Sequence, residues 1–289
     1  MTDVIPNKNT LIIAPNAGFG NRLRTMVSAI YLSEKLNMKL EHLWIGTKYR
    51  CAYSHIQNIH DKSFEYFFKE SVPRCDYKDM RNKVNKVYTE WMPEARPNAW
   101  YHFQSYGQKL LQTSVLLDLK LVNETMDNSE NFLIETSYIN LNISKEDKAR
   151  IYSQYFIAND QFLSRINILE KDTIGISIRM RDFLKYFPES KFDETKIIKW
   201  LKTFEQPVLL FSDDVSYAKK MRQQLNNPVI PMFENDLDTN NDNSFLEFLM
   251  LSKCSRLYGT ELSSFCEEAA NYGNIDYTPL NKDFFTCVN

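Results

Sequence analysis

Between residues 173 and 272, short apolar runs alternate with amphipathic stretches, and each apolar run stops at polar side chains. Residues 173–178, 208–211 and 256–258 read as strands, with a further short strand expected near Val229 and Ile230. Residues 194–204, 215–225, 245–254 and 264–272 read as helices. Strands joined through helices are parallel, because a parallel pair needs a crossover of a dozen or more residues. A parallel sheet offers its ligands the carboxyl ends of its strands. An earlier run has the same character. Residues 11–14 read as a buried strand and 15–21 as a loop; a helix then shares Leu23, Met26, Val27, Ile30 and Tyr31 on one face, and residues 40–45 form a second strand. The expected fold class is α/β, in two domains covering 1–165 and 166–289. Residues 145–163 read as one helix before the border, while 50–150, dense in aromatics such as Tyr66, Phe67, Phe68, Trp91 and Trp100, give mixed signals.

Composition narrows the function classes. A hydrophobic fraction of 43% with 13% aromatic residues is ample for a packed core. Lysine and arginine number 35 against 37 acids, a balance unlike the basic excess of a nucleic-acid binder, so no nucleic-acid partner is expected. The five cysteines lack a C-x-x-C pair, which argues against a zinc knuckle or dithiol redox site. No apolar run is long enough for a membrane span. The first residues lack a basic, then apolar, secretory leader, so the expected location is the cytoplasm of a bacterium or, for a viral chain, of its host.

Four strand-to-turn junctions carry the residues suited to chemistry. Gly18-Phe19-Gly20-Asn21 stands between a strand and a helix, where backbone N–H groups attract anions; a tight turn with Asn21 as helix cap is the equal alternative. Ile178-Arg179-Met180-Arg181-Asp182 ends a strand with two guanidinium groups, whose planar fork suits a diphosphate; a surface Arg–Asp pair is the plainer reading. Phe211-Ser212-Asp213-Asp214 delivers two carboxylates able to accept from a nucleoside, or one of them to cap the next helix. Gly259-Thr260-Glu261-Leu262-Ser263-Ser264-Phe265 is a hydroxyl-rich turn into a helix start, with Ser264 as a plain cap the alternative. The acids Asp236, Asp238, Asp242 and Glu247 match EF-hand positions 1, 3, 7 and 12, but Asn241 stands where that loop needs glycine. Asp236-Leu237-Asp238 also matches a metal-binding D-x-D without the apolar strand that should precede it, so no metal site is expected.

Taken in order, the four junctions resemble the fucosyltransferase superfamily of nodulation, core α1,6- and protein O-fucosyltransferases. Gly18 to Asn21 is similar to its G-x-G-N loop, Gly175 to Asp182 to its H-x-R-R-x-D strand end, Phe211 to Asp214 to its S/T-D-D element, and Gly259 to Phe265 to its S-S/T-F turn. The resemblance covers 11–36 and 174–272. It implies a GT-B-like fold of two Rossmann-like domains facing a central cleft. It also implies an inverting, metal-independent transferase carrying a sugar, foremost fucose from GDP-fucose, to an oligosaccharide or glycoprotein acceptor, with no cofactor. By position, Arg179 corresponds to the arginine on the β-phosphate. Asp213 and Asp214 would contact the nucleoside and Glu247 the base, with Gly18, Gly20, Arg181, Thr260, Ser263, Ser264 and Phe265 completing the donor site. Asn21 would face the reaction centre. Apart from the resemblance, the chemistry asks for a carboxylate near the acceptor hydroxyl as general base, and Asp182 or Glu189 is the expected one. Ser177 and Met180 replace the motif's histidine and second arginine. These departures keep two alternatives open: another donor such as UDP-xylose or a rhamnose nucleotide, and a noncatalytic glycan- or nucleotide-binding protein.

Overall fold

The structure is a computed structural model and describes residues 9–15, 18–44, 62–75, 86–89, 109–112, 131–136, 139, 141–181, 184, 192–233, 243–281 and 283–287. Contacts divide the chain into two compact units, Met1–Asn159 and Asp160–Asn289. The first unit runs β1 (Thr10–Pro15), α1 (Phe19–Leu36), β2 (Lys39–His42), α2 (Phe64–Phe67), β3 (Lys86–Thr89), β4 (Lys109–Gln112), β5 (Phe132–Thr136) and α3 (Lys145–Tyr155). Its strands form one parallel sheet in the order β2-β1-β5-β3-β4. Leu11 to Ala14 are fully buried because β1 has a strand on either side and helix packed on it, which is why that strand is apolar at consecutive positions.

Helix α1 lays Leu23, Met26, Val27 and Ile30 into the core, while Tyr31 stays half-buried under the Lys35 ammonium, 5.1 Å from its ring centre. The helix begins one turn earlier than a cap at Asn21 would allow. Gly18 occupies the cap position, and Asn21 sits in the first turn accepting a 2.8 Å bond from Arg24. The aromatic density has a structural use here. Phe19, Phe64, Phe67, Phe68 and Phe156 meet mostly edge-on, with centroids 5.1–5.7 Å apart for the pairs Phe19–Phe67, Phe64–Phe68, Phe64–Phe156 and Phe68–Phe156. Trp91 and Trp100 lie outside the described residues. The single helix expected over 145–163 is two, since Phe156 leaves helical geometry and Ala158 bridges to Phe68.

The second unit runs α4 (Asp160–Leu163), β6 (Ile174–Ile178), α5 (Glu194–Leu201), β7 (Val208–Ser212), α6 (Val215–Arg222), α7 (Asn243–Leu251), β8 (Arg256–Thr260), α8 (Ser264–Gly273), β9 (Asp276–Leu280) and α9 (Phe284–Cys287). Its parallel sheet has the order β7-β6-β8-β9. Ile176, Ile178, Val208 and Leu210 face α5, α6 and α9, where Ile197, Trp200, Leu201, Met221 and Phe285 close over them. Each fully buried aliphatic side chain contributes about 1.5–3 kcal/mol. The opposite face is built for close approach. A Cβ on Gly175 would meet Cys254 Sγ at 3.0 Å, and one on Gly259 would meet Cys266 Cβ at 2.5 Å.

One sequence expectation changes here, and one strand is added. No strand forms at Val229 and Ile230: only Pro228 bridges to Val208, and Ile230 is 52% exposed. Pro228 and Pro231 lack the N–H donors a ladder needs. Conversely, β9 exists although Pro279 interrupts it, because an edge strand with Pro279 opposite Gly259 can spare one donor.

Gly273 closes α8 where a Cβ would fall onto the Ser252 carbonyl, just beyond α7. Backbone cannot give way as a flexible side chain does. Gly273→Ala is therefore expected to cost about 3 kcal/mol, read as a lowered urea midpoint at unchanged slope.

Candidate functional site

The strand order of the second sheet creates a switch point. The chain leaving β6 turns toward β7, and the chain leaving β8 turns toward β9. Connections that diverge from neighbouring parallel strands leave ligand space beyond the carboxyl ends of those strands. Arg179, the first residue after β6, stands there with its side chain 26% exposed. Its backbone N–H donates to Thr260 Oγ1 at 2.9 Å; Thr260 ends β8 and is fully buried. Its Nε donates to Asp213 Oδ2, also at 2.9 Å, and Asp213 is the first residue after β7. The other oxygen of that carboxylate accepts the Met180 N–H at 2.6 Å and the Arg181 N–H at 3.4 Å, while the Arg181 side chain is exposed. One carboxylate thus ties the ends of β6 and β7 together, and one hydroxyl ties β6 to β8.

Asp214 has a different task. Its Oδ1 accepts the Tyr217 N–H at 3.0 Å and caps α6. The helix-capping reading therefore holds for one acid of the pair, and the other holds the arginine.

The turn after β8 is drawn tight. Glu261 N–H donates to the Leu280 carbonyl, Ser263 N–H donates to the Thr260 carbonyl, and the Tyr277 hydroxyl lies 3.3 Å from both the Gly259 and Thr260 carbonyls. Leu262 is held in the left-handed region at φ 65° and is 71% exposed, a strained backbone for a leucine. Ser263, not Ser264, takes the cap position of α8, yet its hydroxyl makes no capping bond. It is buried beside the Cys266 sulfur, which Ser177 also faces; burial raises that thiol's pKa against both hydroxyls. Ser264 is the first helical residue, and the Phe265 ring packs edge-on against Phe248 at 5.8 Å. The first N–H groups of α8 are consequently not taken by a side-chain cap, and they meet the positive end of the helix dipole.

Beside β7 lies a narrow recess with room of about 10 Å³, lined by Phe211, Val215, Arg222, Phe233 and Glu247 among others. The Phe211 and Phe233 rings stack at 6.1 Å with planes 12° apart. Arg222 is 6% exposed and donates Nε to the Leu210 carbonyl at 2.9 Å. The Glu247 carboxyl is pushed up to about 8 by desolvation, with Asp213 adding to the shift and Arg222 and Arg179 opposing it. Ser212 lines the recess and directly precedes Asp213, so the recess adjoins the Arg179–Asp213 clasp.

Gly18, Gly20 and Asn21 belong to the first unit, at the cap and first turn of α1. A Cβ on Gly18 would meet nothing within 4 Å, so packing does not demand glycine there. Asp182, Glu189, Asp236, Asp238 and Asp242 lie outside the described residues. Arg222 and Phe233 were not singled out from sequence. The available signal was an arginine sharing a helix face with Val215 and Ala218, at i, i+3 and i+7. Among the described residues, no cluster of histidine, cysteine and carboxylate has metal-binding geometry, and no helix is long and apolar enough to cross a membrane.

No protein-family model and no curated protein matches the sequence. Solved structures do match. POFUT1 in complex with GDP aligns with TM-score 0.59 and 9% identity, over 96% of this chain and 97% of that one. The fucosyltransferase NodZ from Bradyrhizobium aligns with TM-score 0.55 and 15% identity, over 91% and 92%. A variant of Arabidopsis thaliana FUT1 in complex with GDP aligns with TM-score 0.56 and 13% identity, over 95% and 70%. This chain has a fucosyltransferase-like fold. Its two parallel α/β sheets are those of the GT-B-like neighbours.

The clasp predicts an asymmetry between its partners. Asp213→Ala strands two backbone N–H groups and a guanidinium and should cost about 2 kcal/mol. Arg179→Ala, which removes a part-exposed ion pair, should cost less than about 1 kcal/mol. Urea unfolding of both variants against the parent chain checks the order.

Proposed function

We propose that the second unit binds a nucleoside-diphosphate sugar across the switch point, and that the chain transfers the sugar, fucose from GDP-fucose in the first instance, to a glycan acceptor with inversion. The observation carrying this reading is Arg179, oriented by Asp213 and Thr260 at the strand ends, with the recess of Phe211 and Glu247 on β7's side and the uncapped start of α8 after β8. The GDP in the solved neighbours with the same fold supports it.

The chemistry follows from the leaving group. Cleaving the sugar–phosphate bond builds negative charge on the β-phosphate and oxocarbenium character on the sugar. The Arg179 guanidinium and the N–H groups around Ser263, Ser264 and Phe265 meet that charge with donors already in position. Asp213 supplies the orientation: with Nε committed to it, the terminal guanidinium nitrogens are held in one plane for phosphate oxygens. No step requires a metal ion, and full turnover in EDTA is expected. Asp182 and Glu189 remain the candidates for the base that takes the acceptor proton, and Asn21 remains the candidate facing the reaction centre.

The base is assigned to the recess. An ionised carboxylate accepts simultaneously from guanine N1–H and the 2-amino group, whereas on uracil one of its oxygens would face a carbonyl. Glu247 is the acid in position to make that choice. The departures at Ser177 and Met180 favour a second reading in which the sugar differs from fucose. The Ser177 hydroxyl faces the Cys266 sulfur, and Met180 contributes only its N–H to the clasp, so neither reproduces the charge of the motif residue it replaces.

Isothermal titration with GDP and UDP tests the reading. Binding of GDP at least tenfold tighter than UDP is expected, with Arg179→Ala abolishing sugar transfer; preference for UDP would overturn the guanine assignment. The titration also has a pH signature. Glu247 is largely protonated in the free protein at pH 7, because its folded value stands near 8. Pairing with two N–H donors requires the ionised form, so GDP binding should expel a proton and tighten as pH rises toward 8. Buffers of different ionisation enthalpy will report that release, and Glu247→Gln should abolish it.

A further inference from the structure

We propose that Arg24 is a positioning residue for sugar transfer: it holds the side-chain oxygen of Asn21, so that the amide NH2 is what Asn21 presents to an oxygen of the substrate. The proposal rests on the transferase reading, in which Asn21 faces the reaction centre. It adds the polarity of that contact and the residue that sets it.

Three observations carry it. Arg24 Nη2 donates to Asn21 Oδ1 at 2.8 Å, about one turn along α1. A guanidinium has donors and no acceptor, so the contact fixes which end of the amide faces it. Both residues are half-buried, and Asn21 makes no other side-chain hydrogen bond among the described residues. Its two amide N–H donors are what remains for a ligand beyond the carboxyl end of β1.

The turn that carries Asn21 is also anchored on both sides of it. Phe19 is buried edge-on to Trp44 at 6.2 Å and to Phe67 at 5.4 Å, and the buried Arg22 places Cζ 5.2 Å from the Trp44 ring centre. Trp44 is itself pinned by its Nε1, which donates to the Lys62 carbonyl at 3.1 Å. Neighbours locked by packing give a polar group the fixed aim that catalysis needs.

Finally, helix stability gives no reason for the pair. Gly18 is the cap, so Asn21 stands at the third helical position, where glutamate or glutamine would bond back to the cap residue. Asparagine is a weaker helix former than either. The first turn holds no acid, and Arg22 and Arg24 bring the wrong sign of charge to the positive end of the helix. A side-chain pair at i, i+3 adds little to set against that.

Steady-state release of GDP from GDP-fucose, with water as the acceptor, tests this in the full chain, with thermal midpoints measured alongside. Asn21→Asp keeps an oxygen on Arg24 and removes the donors, so kcat should fall about a hundredfold while the midpoint stays or rises. Arg24→Ala should lower kcat about tenfold and leave KM for GDP-fucose within about twofold. Arg24→Lys, which restores a donor, should recover most of that loss. In the double variant the Arg24→Ala change should add nothing to the loss from Asn21→Ala, because Arg24 acts through the amide. Turnover at the parent rate by Asn21→Asp or by Arg24→Ala overturns the inference and leaves the transferase reading in place. Additive losses that follow the midpoints would mean that the pair only supports α1, and would overturn it too. A parent chain that releases no GDP defeats the transferase reading itself, and the inference with it.

Discussion

The carboxylate of Asp213 is the interaction on which the second unit's ligand edge depends. Parallel strands expose their last carbonyls and N–H groups at the same end, and the loops leaving them diverge. Something must hold those loops while keeping a cation available to solvent. Asp213 does so by accepting from two consecutive backbone N–H groups and from Arg179 Nε. A carboxylate with three donors is well satisfied, and the guanidinium it holds loses little entropy when a further anion arrives. Thr260 completes the arrangement from the neighbouring strand with a buried hydroxyl that has a single acceptor task. Packing, hydrogen bonding and the proposed chemistry therefore meet at one short stretch of backbone, Arg179 to Arg181.

Beneath that edge, the sheet is unusually thin-skinned on one side. Gly175, Ser177 and Gly259 lie across β6 and β8, and Cys254 and Cys266 press against them. Small side chains on the sheet allow α8 to approach closely, which brings its first turn near the strand ends. The serine at 177 fits that arrangement. Its hydroxyl is turned to the Cys266 sulfur in a buried space, where an imidazole would need far more room. The serine at this position and the close seating of α8 belong to one packing arrangement.

Sequence made the strands and helices of the second unit readable because each junction combined an apolar run with a polar stop. The order β6, β7, β8 and the residues at their ends followed from that pattern. What the pattern does not encode is which polar groups bind each other. Asp213 and Asp214 are identical as letters, yet one holds Arg179 and the other caps α6, a division decided by a single residue's distance from the end of β7. The recess was hidden for a related reason. Phe233 and Glu247 are fourteen positions apart in sequence and Arg222 sits on another helix, so only the fold brings them to one recess. In the first unit, β5 escaped notice because Phe132, Leu133 and Ile134 are too short a run to distinguish from a stretch of buried coil, and β9 escaped because of Pro279.

Leu262 has a consequence for how such a chain evolves. A branched hydrophobic residue on the surface, in a backbone region suited to glycine or asparagine, forgoes about 1–2 kcal/mol that a one-residue exchange could recover. Directed evolution for heat resistance would find this position early. Selection for turnover would judge the same exchange by whether the neighbouring helix start keeps its aim, so the two regimes pull this loop in opposite directions.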